Sequence, residues 1–335
     1  MGRYRIVIHG IDVTSDIKGD IPSIVVRKGE IGAITDIGNI ELLGDNSKDI
    51  WIVGGIYSFL GETAQGKPVK IYDWNQLIYE GKIREINISN AGRDASIVCY
   101  TKVSETIEKI IPGYFDDQYT LAELSQRLYE TFGVTVDAVS YSNAKSKQLA
   151  MGLQARINIL PNSNTSLASA QEWLAKVGFC RHYFVSNVAH LDFVDPTETH
   201  NPFTTLTNED IIDISEFREI EKNVYNGYLV QTATGNAYQA GTNMVPSLNC
   251  DETQSFVFPG IGQGIAYGDR AILMSERSLH SLTIIVKKSS AQWMTLESTF
   301  KMESLTNRYG IEKTFEVLSI DNSSLISTVI QAVSV

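Results

Sequence analysis

The sequence predicts a β-rich α+β fold, in which two strand-rich β-barrel ends flank a small helix-and-strand middle region. Three observations carry that expectation. Short β-branched or alternating runs fill the stretch from Tyr4 to Tyr100, the apolar period lengthens to that of a helix from Thr120, and strand-like runs return between Ile211 and Val335. At 335 residues the chain is long enough for two or three domains that each bury their own core. Its 43% hydrophobic and 20% charged content excludes a disordered or fibrous chain.

In the first part, Tyr4 to Ile8, Ser23 to Val26, Val69 to Tyr72, Leu77 to Ile88 and Ala95 to Tyr100 read as strands separated by Gly and Asn clusters. The runs from Ile31 to Ile40 and from Leu43 to Ile50 carry glycines and turn residues, which predicts a loop or an extended hairpin. Gly81 interrupts an otherwise good strand and predicts a bulge or sharp bend of the kind that curls a sheet toward a barrel.

From Thr120, Leu121, Leu124, Leu128 and Phe132 fall on one helical face with Tyr129 beside them. Thr120 and Glu123 form a capping-box pattern, in which each side chain can accept an amide proton left unpaired by the first turn, and Gly133 supplies the stop. A second helix is expected from Ser166 to Val177, with Leu167, Ala170, Leu174 and Val177 on one face, Trp173 adjoining, and Gly178 as its stop. Phe179 to Val185 and Ala189 to Val194 then read as a hairpin about Ser186-Asn187 that ends before Pro196. The polar stretch from Thr197 to Asn208 reads as linker or loop, followed by strands at Asn223 to Thr232, Arg277 to Lys287, Gly310 to Ile320 and Leu325 to Val335.

No catalytic, cofactor-binding or metal site is expected. The run Gly260-Ile-Gly262-Gln-Gly264-Ile-Ala-Tyr-Gly268 lacks the spacing of a dinucleotide loop and reads as a loop between strands. Neighbours on a strand point to opposite faces, so Cys180, Arg181 and His182 predict a core thiol and a surface imidazole rather than a catalytic pair. His9, His190, His200 and His280 are scattered singly, without the spacing that places two ligands on one helical face. Glu209, Asp210, Asp213, Glu216, Glu219 and Glu221 form a charged run that reads as a solvated linker or interface face instead of an acid/base pair. Trp51, Tyr57, Phe59, Tyr72 and Trp74 are expected in core and subunit contacts.

Cys99, Cys180 and Cys250 fit neither a disulfide framework nor a zinc site. A net charge of −11 opposes tight phosphate binding, although an acidic surface could line a passage for DNA without holding it. The longest apolar stretch, Trp51 to Leu60, is broken by Gly54 and Gly55, so no membrane span is expected, and no signal-peptide core precedes the first strand.

In its layout the chain resembles the baseplate hub proteins of tailed phages, the family that includes the late control protein D group and the hub portion of type VI secretion spike proteins. The similarity lies in Pro68-Val-Lys-Ile-Tyr-Asp with Leu77-Ile-Tyr-Glu-Gly81-Lys-Ile83, in the run from Thr120 to Val134, and in Ser169-Ala-Gln-Glu-Trp-Leu-Ala-Lys-Val-Gly178-Phe followed by Leu191-Asp-Phe. Asn223-Val-Tyr-Asn-Gly-Tyr-Leu-Val and Lys313-Thr-Phe-Glu-Val-Leu-Ser-Ile320 extend it toward the end.

The resemblance implies two tube-like β-barrel domains, over 1–105 and 201–335, the second with a loop insertion near 233–270. Between them it implies an α+β middle region over 106–200 with helices near 120–132 and 166–177. It further implies a non-enzymatic homotrimer that joins a hexameric tail tube to a trimeric central spike, lines a channel through which DNA passes without specific binding, and is assembled in the host cytoplasm into the virion tail tip or baseplate. The implied partners are a tail tube or distal tail protein, a separate spike polypeptide and a tape measure protein. The competing expectations are a peripheral carbohydrate- or receptor-binding tail protein, using exposed aromatics between Trp51 and Trp74, and a cell-wall glycosidase or peptidase.

Overall fold

The computed structural model describes residues 4–18, 25–28, 31, 34–35, 39–61, 63–73, 75–159, 161, 163–185, 187–195, 197, 202–219, 227–231, 237–241, 247–249, 256–257, 261–276, 280–321, 324 and 326–335. The fold is a β-rich α+β arrangement in which two curled sheets flank a helix-and-strand middle.

The chain opens with β1 (Tyr4–Ile8) and β2 (Ile11–Asp12), then leaves the first sheet for β3 (Val25–Arg27) and β4 (Ile34–Thr35). It returns with β5 (Ile40–Asp45), β6 (Pro68–Asp73), β7 (Gln76–Ser89) and β8 (Asp94–Tyr100), giving the strand order β2-β1-β6-β7-β8-β5. Period-two alternation drives these strands: in β5, Ile40 and Leu42 point into the core while Glu41 and Leu43 face out. Ile6, Ile8, Leu42, Ile71, Ile83 and Ile97 fill the interior together with Trp51.

The segment after β2 wraps to the far edge of this sheet. Ile17 bridges Gly44, and the Lys18 amide donates to the Leu43 carbonyl at 2.7 Å. The Lys18 ammonium lies 2.6 Å from Asp94 and 3.2 Å from Asp45, so the edge of β5 is covered.

The run from Leu43 to Ile50 is therefore not all loop, because its start completes β5. Gly44 is required where the Trp51 indole lies: a Cβ there would stand 2.6 Å from Nε1. Gly81 likewise marks a close approach instead of a bulge. A Cβ would meet the Tyr100 carbonyl at 2.4 Å, whereas the register shifts lie at Ile71/Tyr72 and Ile83/Glu85.

The middle region runs α1 (Lys102–Ile107), β9 (Tyr114–Thr120), α2 (Leu121–Thr131), β10 (Thr135–Val136), α3 (Ala138–Ala150), β11 (Gln154–Ile159), α4 (Leu167–Val177), β12 (Cys180–Val185) and β13 (Val188–Phe193). The capping box of α2 forms as expected. Thr120 Oγ1 accepts from the Glu123 amide at 3.1 Å, and Glu123 accepts from the Thr120 amide at 3.1 Å. Gly133 takes the left-handed conformation that ends this helix, with φ +73°.

Gly178 ends α4 for a different reason: a Cβ would lie 2.7 Å from Gln148 Nε2. Gln148, buried on α3, accepts from the Ala122 amide at 2.7 Å and donates to the Gly178 carbonyl at 3.1 Å. One amide side chain thus satisfies the start of α2 and the end of α4. The hairpin of β12 and β13 turns at Asn187, whose φ of +64° is the left-handed conformation that Asn tolerates.

The remainder comprises β14 (Thr204–Leu206), β15 (Ile211–Glu219), β16 (Gly227–Gln231), β17 (Ala237–Gly241), β18 (Ser247–Asn249), β19 (Phe256–Val257), α5 (Ile261–Glu276), β20 (His280–Lys287), α6 (Lys288–Ala291), β21 (Thr299–Met302), α7 (Glu303–Tyr309), β22 (Phe315–Asp321) and β23 (Ser327–Ser334). The expected linker from Thr197 to Asn208 contains a strand, and the expected loop insertion near 233–270 contains β17, β18, β19 and the first part of α5. Of the Gly260–Gly268 run, residues 261–268 form the start of α5, whose Tyr267 and Ala271 pack one turn apart into the middle core, and Gly260 lies outside the described residues. Helical packing of that face overrides the low propensity of the glycines. Gly310, expected within a strand, caps α7 with φ +66°. Of the expected strand from Asn223 to Thr232, Gly227 to Gln231 is strand, and the other residues lie outside those described.

The second sheet follows β14-β21-β22-β23-β20-β15. Its path repeats that of the first. In chain order, β1, the Ile17–Lys18 segment, β5, β6, β7 and β8 correspond to β14, β15, β20, β21, β22 and β23, and each set has the same neighbours in space. One difference is that β14 runs parallel to β21, whereas β1 runs antiparallel to β6.

Candidate assembly surface

The candidate functional surface has two parts: the joints that fix the three regions to one another, and the faces and edges left open. The main joint is the excursion between β2 and β5. Its β3 pairs antiparallel with β22 at Ser319, Ile320 and Asp321, and its β4 pairs parallel with β12 at His182 and Tyr183. One short stretch of the first region therefore adds a strand to each of the other two.

Lys28 follows β3 directly and sits in a buried cluster of charges. Its ammonium is 2.8 Å from Glu316 on β22 and 3.0 Å from Asp192 on β13, and the Arg181 guanidinium on β12 is 2.6 Å from Glu316. Burial disfavours the charged Glu316, but Lys28 and Arg181 outweigh it and bring its pKa down to about 2. Burial also works against the Lys28 ammonium, yet Asp192 and Glu316 raise its pKa above the usual lysine value. Asp192 is pushed up by burial, with the Glu316 charge adding to the rise and Lys28 only partly offsetting it. The cluster locks the second sheet, the middle hairpin and the excursion into a single register.

A second joint lies at the end of β13. Arg270 of α5 donates to the Val194 carbonyl at 2.9 Å and pairs with Asp195 at 3.0 Å. A third is the hairpin tip, where Asn187 Nδ2 donates to the Glu80 carbonyl of β7 at 3.0 Å. Beside it, Pro68, Gly81, Lys82, Val103, Thr106 and Val188 are among the residues lining an open cleft of about 350 Å³ between the first sheet and the middle region.

Two expectations about side-chain placement are corrected. Cys180 and His182 are two apart on β12, so alternation puts them on the same face, and His182 is buried rather than at the surface. Burial lowers the His182 pKa to about 3 and raises that of the Cys180 thiol well above its usual value. The imidazole is neutral and lies 3.5 Å from Ser125 Oγ, which donates to Gln171 Oε1 at 2.6 Å, while the thiol donates to the Gly178 carbonyl at 3.2 Å. These are contacts of a packed interior.

Trp51, Tyr57 and Phe59 are also buried, with Trp51 tilted against Tyr57 at a centroid distance of 5.0 Å and Tyr57 stacked on Phe59 at 5.4 Å, so they offer no exposed platform for a sugar. Tyr72 lies half-buried beneath the Arg5 guanidinium at 4.5 Å, and Trp74 lies outside the described residues. His9, His190 and His280 each pack against a different aromatic ring, Phe59, Tyr183 and Phe217 respectively. His200 and Cys250 lie outside the described residues.

The acidic run is an edge strand, not a linker. In β15, register shifts at Ile211/Asp213 and Ile214/Glu216 each insert a residue, so inward-facing Ile211, Ile214 and Phe217 recur every third position. Asp213, Glu216 and Glu219 point to solvent. Asp210 accepts hydrogen bonds from Thr207 and Ser290, Glu209 is exposed, and Glu221 lies outside the described residues. Bulges and charges together make this a poor edge for further pairing.

Exposed apolar side chains gather on the loop after β5, where Ile52, Val53 and Ile56 are 40%, 62% and 69% exposed. Among the described residues, no three His, Cys, Asp or Glu side chains are grouped to hold a metal, and no helix is long and apolar enough to cross a membrane.

No protein-family profile matches the chain, and no curated protein matches it. Solved structures do. The tail protein from Neisseria meningitidis MC58 superposes with a TM-score of 0.57 at 10% identity, covering 99% of this chain and 96% of that one. The 43 kDa tail protein of prophage MuSo2 from Shewanella oneidensis gives 0.54 at 11% identity over 98% and 97% of the two chains. Prophage tail protein gp18 from Listeria monocytogenes EGD-e gives 0.54 at 10% identity over 99% and 94%. The chain shares their fold. At this identity the likeness is one of backbone architecture, and it extends over nearly the whole length of each partner.

Proposed function

We propose that this chain is the structural hub of a phage tail baseplate or of a related contractile injection apparatus. In this reading it forms a homotrimer in which the barrel units at 1–105 and 201–335, held by the α+β region at 106–200, make a ring of six. That ring joins a hexameric tail tube or distal tail protein to a trimeric central spike. The role is mechanical rather than enzymatic, and the channel passes DNA without gripping it.

The observation that carries the reading is the repeated strand path of the two sheets. Two topologically equivalent units in one chain convert threefold symmetry into a quasi-sixfold ring, which is what a connection between a hexamer and a trimer requires. The fold shared with three tail proteins supports the setting. Buried charge pairs at the joints suit a part that transmits load between its regions.

The test is the solution mass of the purified chain, alone and with tube and spike proteins, together with electron micrographs. A trimeric ring bound to a tube end is the expected result. A strict monomer in the presence of both partners overturns the reading.

A further inference from the structure

We infer that the distal half of β7, Arg84 to Ser89, is an open sheet edge that receives a strand from a second copy of this chain. The inference rests on the ring proposed above and adds the edge through which successive copies join.

The argument starts from the repeat. In the second sheet, β22 is paired along one edge by β23 over its whole length. Its other edge is shared: β21 takes Phe315 and Glu316, and β3, arriving from the first region, takes Ser319 to Asp321. The equivalent strand of the first sheet is β7. It is paired along one edge by β8 from Lys82 to Ser89, and on the other edge by β6 from Gln76 to Lys82, with Gly66 and Lys67 completing the pairing at Ile83. Beyond Ile83 that second edge has no backbone partner among the described residues. The position filled by β3 on β22 is thus the position left open on β7.

The side chains agree. None of Arg84, Glu85, Ile86, Asn87, Ile88 and Ser89 is buried, and the apolar Ile88 is 41% exposed. Unlike β15, the stretch from Glu85 to Ser89 pairs with β8 in unbroken register, so its backbone is regular enough to accept a strand. An unpaired edge of this kind is a template for strand addition unless something covers it.

A second copy is the occupant that the repeat selects. Within one chain the first unit donates a strand to the second. Repeating the same relation carries the second unit's donation to the first unit of the next chain, a heterologous contact that closes into a ring when the rotation permits.

The experiment compares the wild-type chain with Ile88→Lys, placing a charge on the exposed edge, and with Val139→Lys, a control at an exposed apolar site on α3. Mass photometry over a concentration series is expected to show the assembly constant of Ile88→Lys weakened about tenfold or more, with Val139→Lys like wild type and all three melting alike. In wild type, amide hydrogen exchange at residues 84–89 is expected to slow on going from dilute monomer to assembled protein.

An Ile88→Lys chain that assembles as wild type does, or amides at 84–89 that exchange equally fast in both states, overturns the edge assignment and leaves the hub reading standing. A wild-type chain that stays monomeric even with tube and spike proteins overturns both.

Discussion

Replacing Glu316 by glutamine removes one negative charge from the buried cluster while keeping the side-chain shape. Lys28 and Arg181 would then share only Asp192, at 3.0 and 3.9 Å, with side chains that are 3% and 9% exposed. Removing one partner of a buried, hydrogen-bonded charge set costs about 3–5 kcal/mol, because the remaining charge stays desolvated. The pKa of Glu316 gives an independent figure. A fall from the usual 4.5 to about 2 corresponds to roughly 3 kcal/mol of differential stabilisation at neutral pH.

The sign follows from linkage. A carboxyl whose folded pKa is depressed contributes its stability above the unfolded value, and that contribution is lost as pH falls from about 4.5 through about 2. Asp192, whose pKa is raised, acts in the opposite direction over acid pH and blunts the loss. Urea denaturation followed by circular dichroism at pH 7 and at pH 3 measures both effects. With a slope of about 3 kcal/mol per molar for a chain of this size, Glu316→Gln should unfold about 1 M earlier than wild type at pH 7. The gap should narrow at pH 3. Equal midpoints at pH 7, or a gap that does not change with pH, would refute the reasoning.

Gly81→Ala forces a Cβ to within 2.4 Å of the Tyr100 carbonyl and should destabilise the first sheet by about 2–3 kcal/mol, read as an earlier thermal transition, and an unchanged melt would contradict the close-approach argument. Gln148→Leu strands the buried Ala122 amide and Gly178 carbonyl, so it should cost about 2–4 kcal/mol, whereas a neutral result would mean that water or a shifted helix satisfies them. Thr120→Ala removes one half of the capping box and should cost about 1 kcal/mol in the same denaturation assay. Cys99, raised to about 12, and Cys180, pushed well above the usual thiol value by burial, should both resist a thiol reagent in the folded protein and react on unfolding, and rapid labelling of either would show that the interior opens.

Much of the local architecture was legible in the sequence. The helix from Leu121 to Thr131 carried every signal at once: a capping box, a four-residue apolar repeat and a left-handed glycine. Helix α3 was hidden because its buried face is made by Tyr141, Ala144 and the polar Gln148, a pattern too sparse in apolar residues to show a period. Helix α5 was hidden by its glycines, although Tyr267, Ala271 and Met274 carry helical spacing. The burial of His182 could have been read, since alternation on a strand pairs it with Cys180.

The joints were not legible. Lys28 lies next to a strand of three residues, and its partner Glu316 is 288 positions away. Residue patterns report which face of an element is buried, but not which distant element covers it. The same holds for the repeat of the two sheets, which shows in the order of strands in space.

That separation has a consequence for how the chain is made. Translation proceeds at about 5–20 residues per second, so Lys28 and the strand before it emerge roughly 15–60 s before their partners on β22 exist. Throughout that interval the nascent first region carries an unpaired strand and a cation that has no Glu316 to meet. A ribosome that stops early would release a chain in which the first sheet is complete but the excursion has nothing to pair with on β22. Docking of the excursion on the second sheet therefore waits until β22 has been made, and until then its exposed strand and cation offer a surface for chaperones to hold.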